Sequence, residues 1–463
     1  MNSSILYDAS MTTHSDSSAH PHPDPDPGAT RATHPAHERP CGWNALLAPR
    51  APASPVEGEA DCDLAVVGAG YTGLAAAQRW AQLRPDHRIR VLEADAVGEG
   101  SPGRNSGFML EIALAEDADP AAVDRMRTLN GLTRGAMESL RAQVETHGID
   151  CGLARRGTYR AAATDRGAAA LARYRAFLEA AQLPFEMLDG AALARRIGTR
   201  HYRFGLHSPD CWLAQPAALI RGLADHLPGA VTLHERSPVL ELEPLAGGGW
   251  TLRTAQARIR AGTVILANNA FAGALGFGGT RMTPVYTYAA LTEPLPAAML
   301  EQLGEDSDWG LLPTAKLGST LRRTADGRLM IRSLYSYRRE RPNALIEAQL
   351  AASLARRFVQ LGQGRGGLRF AHVWGGTTGV TLNGAPEWGQ RAPGLFVSGG
   401  CNGGGVVKGT LLGGLLADLA LEQPLPDVTA LFGRASRVPP DPLRRIGFAA
   451  MTWRWQRQAG AEA

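Results

Sequence analysis

Residues Leu64 to Glu93 read LAVVGAGYTGLAAAQRWAQLRPDHRIRVLE. A short apolar run, Leu64 to Val67, enters Gly68-x-Gly70-x-x-Gly73. An alanine-rich helical pattern follows, and a second β-type run, Ile89 to Leu92, ends on Glu93. This is the order of a dinucleotide-binding βαβ unit. Gly68 permits the tight turn out of the strand, Gly70 lets a pyrophosphate approach the backbone, and Gly73 lets helix and sheet pack closely. The helix N-terminus, beginning near Tyr71 and Thr72, offers unpaired N–H groups and the positive end of its dipole to phosphates. Glu93 stands twenty residues after Gly73, where a carboxylate can accept hydrogen bonds from ribose hydroxyls.

Two further stretches extend this reading. The first, Val97 to Met109 (VGEGSPGRNSGFM), follows the ribose-binding strand and is dense in glycine and small polar residues. It reads as a loop whose backbone, with Arg104 and Asn105, reaches a pyrophosphate or a ring system. The second lies near the far end of the chain. Gly394 to Ser398 is β-type, Gly399-Gly400-Cys401-Asn402-Gly403-Gly404-Gly405-Val406 is a glycine turn, and a helix to Leu421 follows. Two phosphate-type turns so far apart in sequence imply one extended ligand gripped twice. Cys401 is expected to be a small buried residue there.

The chain has 463 residues and a formal net charge of +4, with 48 basic and 44 acidic side chains. That balance gives no argument for nucleic acid. Five cysteines without a CxxC pair fit a reducing compartment. With no signal-peptide pattern and no long apolar run, a cytoplasmic protein without a transmembrane segment is expected. Residues 1–40 are rich in His, Pro, Asp, Ser and Thr and are expected to be a disordered tail, with no metal site assigned. The folded body is expected to begin near Asp61.

Helical patterns run from Pro120 to His147 and from Ala168 to Ile197, with a short strand at Arg156 to Arg160 between them. Val231 to Glu235 and Val239 to Leu242 read as paired strand pieces, and Trp250 to Arg260 as a hairpin strand. Thr263 to Ala270 is an apolar run that ends in small polar residues, as a buried parallel strand does at its ligand end. From Arg281 to Phe370 the composition shifts to aromatic and basic β-type segments, with a hairpin signal at Asp326-Gly327. A helix from Ala344 to Leu361 covers them. Arg322, Arg332, Tyr286, Tyr335, Tyr337 and His372 are the candidates for binding an anionic substrate group, since a bidentate Arg suits carboxylate or phosphonate. The tail from Pro424, with Arg434, Arg437, Arg444, Arg445 and Trp453-Arg454-Trp455, is expected to pack across the nucleotide domain; the alternative is a basic amphipathic helix that meets a membrane or partner.

GAGYTGLAAA, then VLEA, then VGEGSPGRNSGF together resemble the FAD-dependent amine and amino-acid oxidoreductases. That group includes D-amino-acid, glycine and sarcosine oxidases. The GRNSGF loop is most similar to the γ-glutamylputrescine oxidoreductase and aminophosphonate oxidoreductase branch. The resemblance implies an α/β fold in which a Rossmann-like FAD/NAD(P)-binding domain is interleaved with an antiparallel-sheet substrate domain. The FAD domain would comprise 61–115, 205–275 and 385–425, the substrate domain 150–200 and 276–384, and a C-terminal extension 426–463. FAD would be bound non-covalently by Gly68, Gly70, Tyr71, Thr72, Gly73, Glu93 and Ala94, and by the loop residues Gly103, Arg104, Asn105, Ser106 and Gly107. Val239 would meet the adenine, and Ala267 and Asn268 would close over the nucleotide. Gly400, Asn402, Gly403, Gly404, Gly405 and Val406 would hold the ring end. Asn383 stands near where the family often carries Asp.

The implied reaction is oxidation of a C–N bond in a small amine, amino acid or aminophosphonate, by hydride transfer to flavin N5 and hydrolysis of the imine. No catalytic acid or base is strictly required, and oxygen or a quinone-type acceptor would remove the electrons. The alternatives are a flavin-dependent hydroxylase, whose Gly-Asp signature is replaced here by SGGCNGGG, and a flavin-binding module without turnover. A NAD-dependent dehydrogenase would leave the second glycine turn unexplained.

Overall fold

Leu64 to Val67 are continuously apolar because the strand they finish, Gly58–Val67, is covered on both faces. Leu64 and Val66 face one helical layer with Leu74, Trp80 and Ile89. Ala65 and Val67 face the other way, against Leu252, Ile259 and Val397. This is the two-residue period of a strand buried on both sides. Each fully buried Leu, Val or Ile stabilises the sheet by about 1.5–3 kcal/mol relative to exposure. The computed structural model describes residues 32–112, 122–362 and 369–462.

The first sheet has eight strands. Gly58–Val67 pairs in parallel with Ala257–Leu266 on one side and Ile89–Leu92 on the other. Val231–His234 extends it in parallel beyond Ile89–Leu92. Leu395–Gly399 joins the upper half of Ala257–Leu266 in parallel, while the lower half pairs antiparallel with Trp250–Arg253. The two pieces Val231–His234 and Glu241–Pro244 lie on opposite edges of this sheet and do not pair with each other. Hydrophobic pattern alone cannot assign a strand's partner, and Ser237-Pro238 turns the chain away.

The second sheet also has eight strands, in the order Phe370–Val380, Thr283–Thr292, Leu329–Tyr337, Thr320–Arg323, Trp309–Pro313, Thr158–Ala162, Phe204–Ser208 and Glu186–Asp189. Its pairs are antiparallel except Trp309–Pro313 with Thr158–Ala162. Phe204–Ser208 thus belongs to this sheet, although 205–275 is read from sequence as nucleotide domain. The stretch read as one helix from Ala168 to Ile197 is a helix Asp165–Ala180, a strand Glu186–Asp189 and a second helix Gly190–Ile197. Asp189 caps that second helix by accepting from Ala192 N, a start signal inside an otherwise helical pattern.

Residues 32–40, read from sequence as part of a disordered tail, are bonded to the folded body. His37 Nδ1 lies 2.8 Å from a Glu340 carboxylate oxygen, Glu38 N donates to the same carboxylate, and the carbonyl of Arg39 accepts from Arg104. Cys41 and Trp43 follow in a core with Trp374 and Leu291. Composition sets no sharp boundary, and these residues gain partners only from distant parts of the chain. The earlier part of the tail, 1–31, lies outside the described residues.

The C-terminal helix Leu443–Ala459 rests on the second sheet rather than on the nucleotide domain. The Phe448 ring packs tilted against Tyr337, 5.4 Å between centroids, and the Tyr337 hydroxyl donates to Asp441.

Candidate functional site

The two glycine turns meet at the carboxyl ends of the parallel strands, where open α/β sheets place their ligands. At the first, Gly68 has φ +104°, a conformation that excludes a side chain. A Cβ at Gly73 would lie 1.9 Å from the carbonyl oxygen of Gly68, so helix Tyr71–Leu83 starts hard against the strand. At the second, Gly400, Asn402 and Gly403 all have positive φ. The Asn402 amide donates to the carbonyls of Gly400 and Gly384 and its oxygen accepts from Thr381 N. These bonds fix the turn that launches helix Val407–Ala420. The two helices touch through glycine, since a Cβ at Gly413 would lie 2.1 Å from the carbonyl oxygen of Thr72. Their N-termini therefore open side by side.

Both turns line one cleft of about 570 Å³. Gly68, Gly70, Tyr71, Thr72, Glu93, Ala94, Arg104, Asn105, Ser106, Val239, Ala267, Asn268, Gly403, Gly404, Gly405 and Val406 are on its wall. Gly73, Gly103, Gly107, Gly400 and Asn402 are not. They shape the wall from behind: a Cβ at Gly103 would meet the Gly98 carbonyl at 2.1 Å, and one at Gly107 the Ala214 carbonyl at 2.2 Å.

Glu93 is half-buried at the strand tip, on the cleft wall. Burial pushes its carboxyl above the usual range, opposed by N–H donors from Ala69, Asp95 and Ala94. Asn268 Nδ2 donates to the carbonyl of Thr33, while its buried Oδ1 has no partner. A backbone cradle bare of side chains, a carboxylate at the ribose position, an orphaned amide oxygen and a second helix N-terminus together fit an extended dinucleotide. Among the described residues no cluster of His, Cys, Asp and Glu could hold a metal.

Arg104 corrects its sequence reading. Its guanidinium is spent within the protein, on the carbonyls of Glu99, Gly375 and Arg39 and on the Glu99 carboxylate. It ties the loop together and has no fork left for a phosphate.

The substrate-sheet candidates separate by strand alternation. On Leu329–Tyr337, Leu329 and Ile331 face the covering helix Asn343–Arg357, so Arg332 faces the cleft and lines it. Its Nη1 is bonded to the Tyr335 hydroxyl, and its guanidinium lies 5.5 Å over that ring. Thr287 and Thr320 line the same wall. Tyr286 lies on the opposite face of its strand, in the core against Ile346 and Leu350. Tyr337 is held by Asp441. His372 is off the cleft, next to Gly42. Arg322 is buried behind the cleft wall, donating to the carbonyls of Ala214 and Ser106 and lying 5.5 Å over Trp43. Burial holds its guanidinium below the ordinary range. Five of the six candidates, Tyr335 included, are therefore off the cleft wall, because alternation and tertiary packing decide which basic or aromatic residues reach it.

Several lining residues escaped the sequence reading: Thr33, His34 and Pro35 from the tail, Thr287 and Thr320, and Lys408 in the first turn of helix Val407–Ala420. Alternation against Tyr286 would have revealed Thr287. Nothing in the tail's composition pointed to His34. Cys401 is half-buried on the cleft wall, bonded to Thr378 and Asn269, rather than a core residue. Asn383 also reaches the cleft and anchors the C-terminal segment through Arg434 O and Ser436 N.

Comparison with known proteins agrees with this architecture. Glycine oxidase from Geobacillus kaustophilus superposes with a TM-score of 0.69 at 22% identity, over 82% of this chain and 100% of that one. L-proline dehydrogenase from P. horikoshii gives 0.63 at 15% identity, over 86% and 99%. In sequence, the chain is 28% identical over 372 residues to gamma-glutamylputrescine oxidoreductase of Escherichia coli, covering 77% of this chain and 83% of that protein. Residues 63–419 match the model of the DAO family, FAD dependent oxidoreductase, and the chain belongs to that family of FAD-dependent enzymes.

Proposed function

We propose that this enzyme oxidises the C–N bond of a small amine or amino acid that carries an anionic group, with FAD held non-covalently in the cleft. One observation carries the reading: Arg332, on the substrate sheet, lines the same cleft as both glycine turns. The relatives named for γ-glutamylputrescine and glycine oxidation support C–N chemistry.

The first glycine turn and helix Tyr71–Leu83 would take the diphosphate, Glu93 the ribose, and helix Val407–Ala420 the pyrimidine end of the ring. Bound FAD supplies a two-electron acceptor for hydride. Arg332 would hold a carboxylate or phosphonate by charge-assisted hydrogen bonds, placing the carbon next to nitrogen. The substrate amine reacts uncharged, and loss of hydride from carbon and a proton from nitrogen leaves an imine. Water converts it to a carbonyl compound and free amine. Oxygen or a quinone-type acceptor takes the electrons away, and the five free cysteines support a reducing, cytoplasmic setting.

The test is anaerobic mixing of the yellow protein with amines, amino acids and aminophosphonates. Bleaching by substrates that carry an acidic group is expected. A yellow protein that no member of the panel bleaches would leave a flavin-binding module in place of this reading.

A further inference from the structure

The helix Leu443–Ala459 turns one face to the fold and the other to solvent. Its inner face, Phe448, Thr452, Trp455 and Ala459, recurs at helical spacing and meets the second sheet. Phe448 packs tilted against Tyr337, the Lys316 ammonium lies 5.3 Å from the Trp455 ring, and Thr452 and Ala459 are buried. The outer face carries Leu443, Ile446, Ala450, Trp453 and Arg457 at the complementary spacing. Leu443, Ile446 and Trp453 are each 61% exposed. They form one stripe along a helix, which scattered surface apolar residues do not.

Charge accompanies the stripe. The helix holds Arg444, Arg445, Arg454 and Arg457 and no acidic residue, and the Arg457 guanidinium lies 4.9 Å over the Trp453 ring. Asp441, just before the helix, is engaged by Tyr337 and Arg338. A second copy of this face would bring arginine against arginine. Among the described residues no helix is long and apolar enough to cross a membrane.

We propose that the outer face of this helix docks the enzyme on an anionic phospholipid surface. Leu443, Ile446 and Trp453 enter the boundary between headgroups and acyl chains, and Arg454 and Arg457 beside them meet lipid phosphates. Apolar burial supplies the contact and the arginines supply the preference for anionic lipid.

The experiment is co-sedimentation of the full, FAD-loaded chain with phosphatidylcholine vesicles and with mixed phosphatidylcholine–phosphatidylglycerol vesicles. Binding is expected with the mixed vesicles only, and it should fall in molar salt, where the screening length shrinks to about 3 Å. Arg454→Gln and Arg457→Gln should each weaken partition roughly fivefold. Trp453→Ser with Ile446→Ser should weaken it as well, while flavin absorbance and melting temperature stay unchanged, because these side chains point out of the fold. No pelleting with mixed vesicles, or equal pelleting of wild type and variants, would overturn the proposal. So would a concentration-dependent dimer, seen without lipid binding, that Trp453→Ser abolishes.

Discussion

Arg104 Nη1 donates to the carbonyl oxygen of Gly375 at 2.9 Å, joining the loop after the ribose-position strand to the edge strand of the substrate sheet. The same guanidinium bonds the carbonyl of Arg39, so one buried side chain fastens three remote segments around the cleft. Arg104→Ala leaves these carbonyls and Glu99 without their donor. A loss of about 2–4 kcal/mol is expected in urea unfolding, with weaker FAD retention on gel filtration. Arg104→Lys should not restore it, since an ammonium cannot reach the same divergent acceptors.

Arg332 and Arg322 should separate cleanly in kinetics. Arg332→Ala removes the cationic group that the substrate sheet presents to the cleft. For acidic substrates KM should rise roughly 10- to 100-fold, the worth of one charged hydrogen bond, with KM for neutral amines unchanged. Arg322→Ala, behind the wall, should instead lower the melting temperature and leave the ratio of acidic to neutral substrate unchanged. Steady-state kinetics on matched substrate pairs, with calorimetry alongside, checks both.

The cysteines make a third expectation. Burial pushes the thiols of Cys41 and Cys151 up to about 11 and those of Cys62 and Cys211 up to about 12. These should stay unreactive toward a disulfide reagent in the native protein. Cys401 is half-buried on the cleft wall and should be the one fast thiol. Stopped-flow titration should show one fast equivalent, absent in Cys401→Ser and slowed when FAD fills the cleft.

Stability should fall on acidification. His34, His37, His201, His234 and His372 all have pKa values lowered from 6.5, with burial the first cause of each. Just below 6.5 the unfolded imidazoles take up protons that the folded ones refuse. The unfolded state then binds more protons, and stability rises with pH through that window. Each imidazole contributes a slope of at most about 1.4 kcal/mol per pH unit. Urea midpoints measured on both sides of pH 6.5 should drop toward acid, with a shallower drop in His37→Gln.

Much of the nucleotide half was legible because its chemistry is local. Gly68, Gly70 and Gly73 work within one turn, and their spacing forces strand, turn and helix into one geometry. Glu93 follows at the distance one helix and one strand require. The substrate half was less legible. Arg322 and Arg332 are both arginines on neighbouring strands of the same sheet, yet one braces the wall from behind and the other faces the cleft. Tyr286 and Thr287 are adjacent and point to opposite faces. The tail shows the same limit from the other side: His34 and His37 lie in a composition that reads as solvated, and both pack only because Asn268, Glu340 and Arg104 are brought to them.

By itself, the sequence determined the βαβ unit, the second glycine turn and thus the family's cofactor fold, because backbone conformation and helix dipoles act over a few residues. Only the tertiary structure decided which side chains line the cleft, where residues 32–40 lie and which of the last helix's two tryptophans faces outward. Those outcomes depend on strand register and on contacts between segments hundreds of residues apart, and no local pattern encodes such pairings.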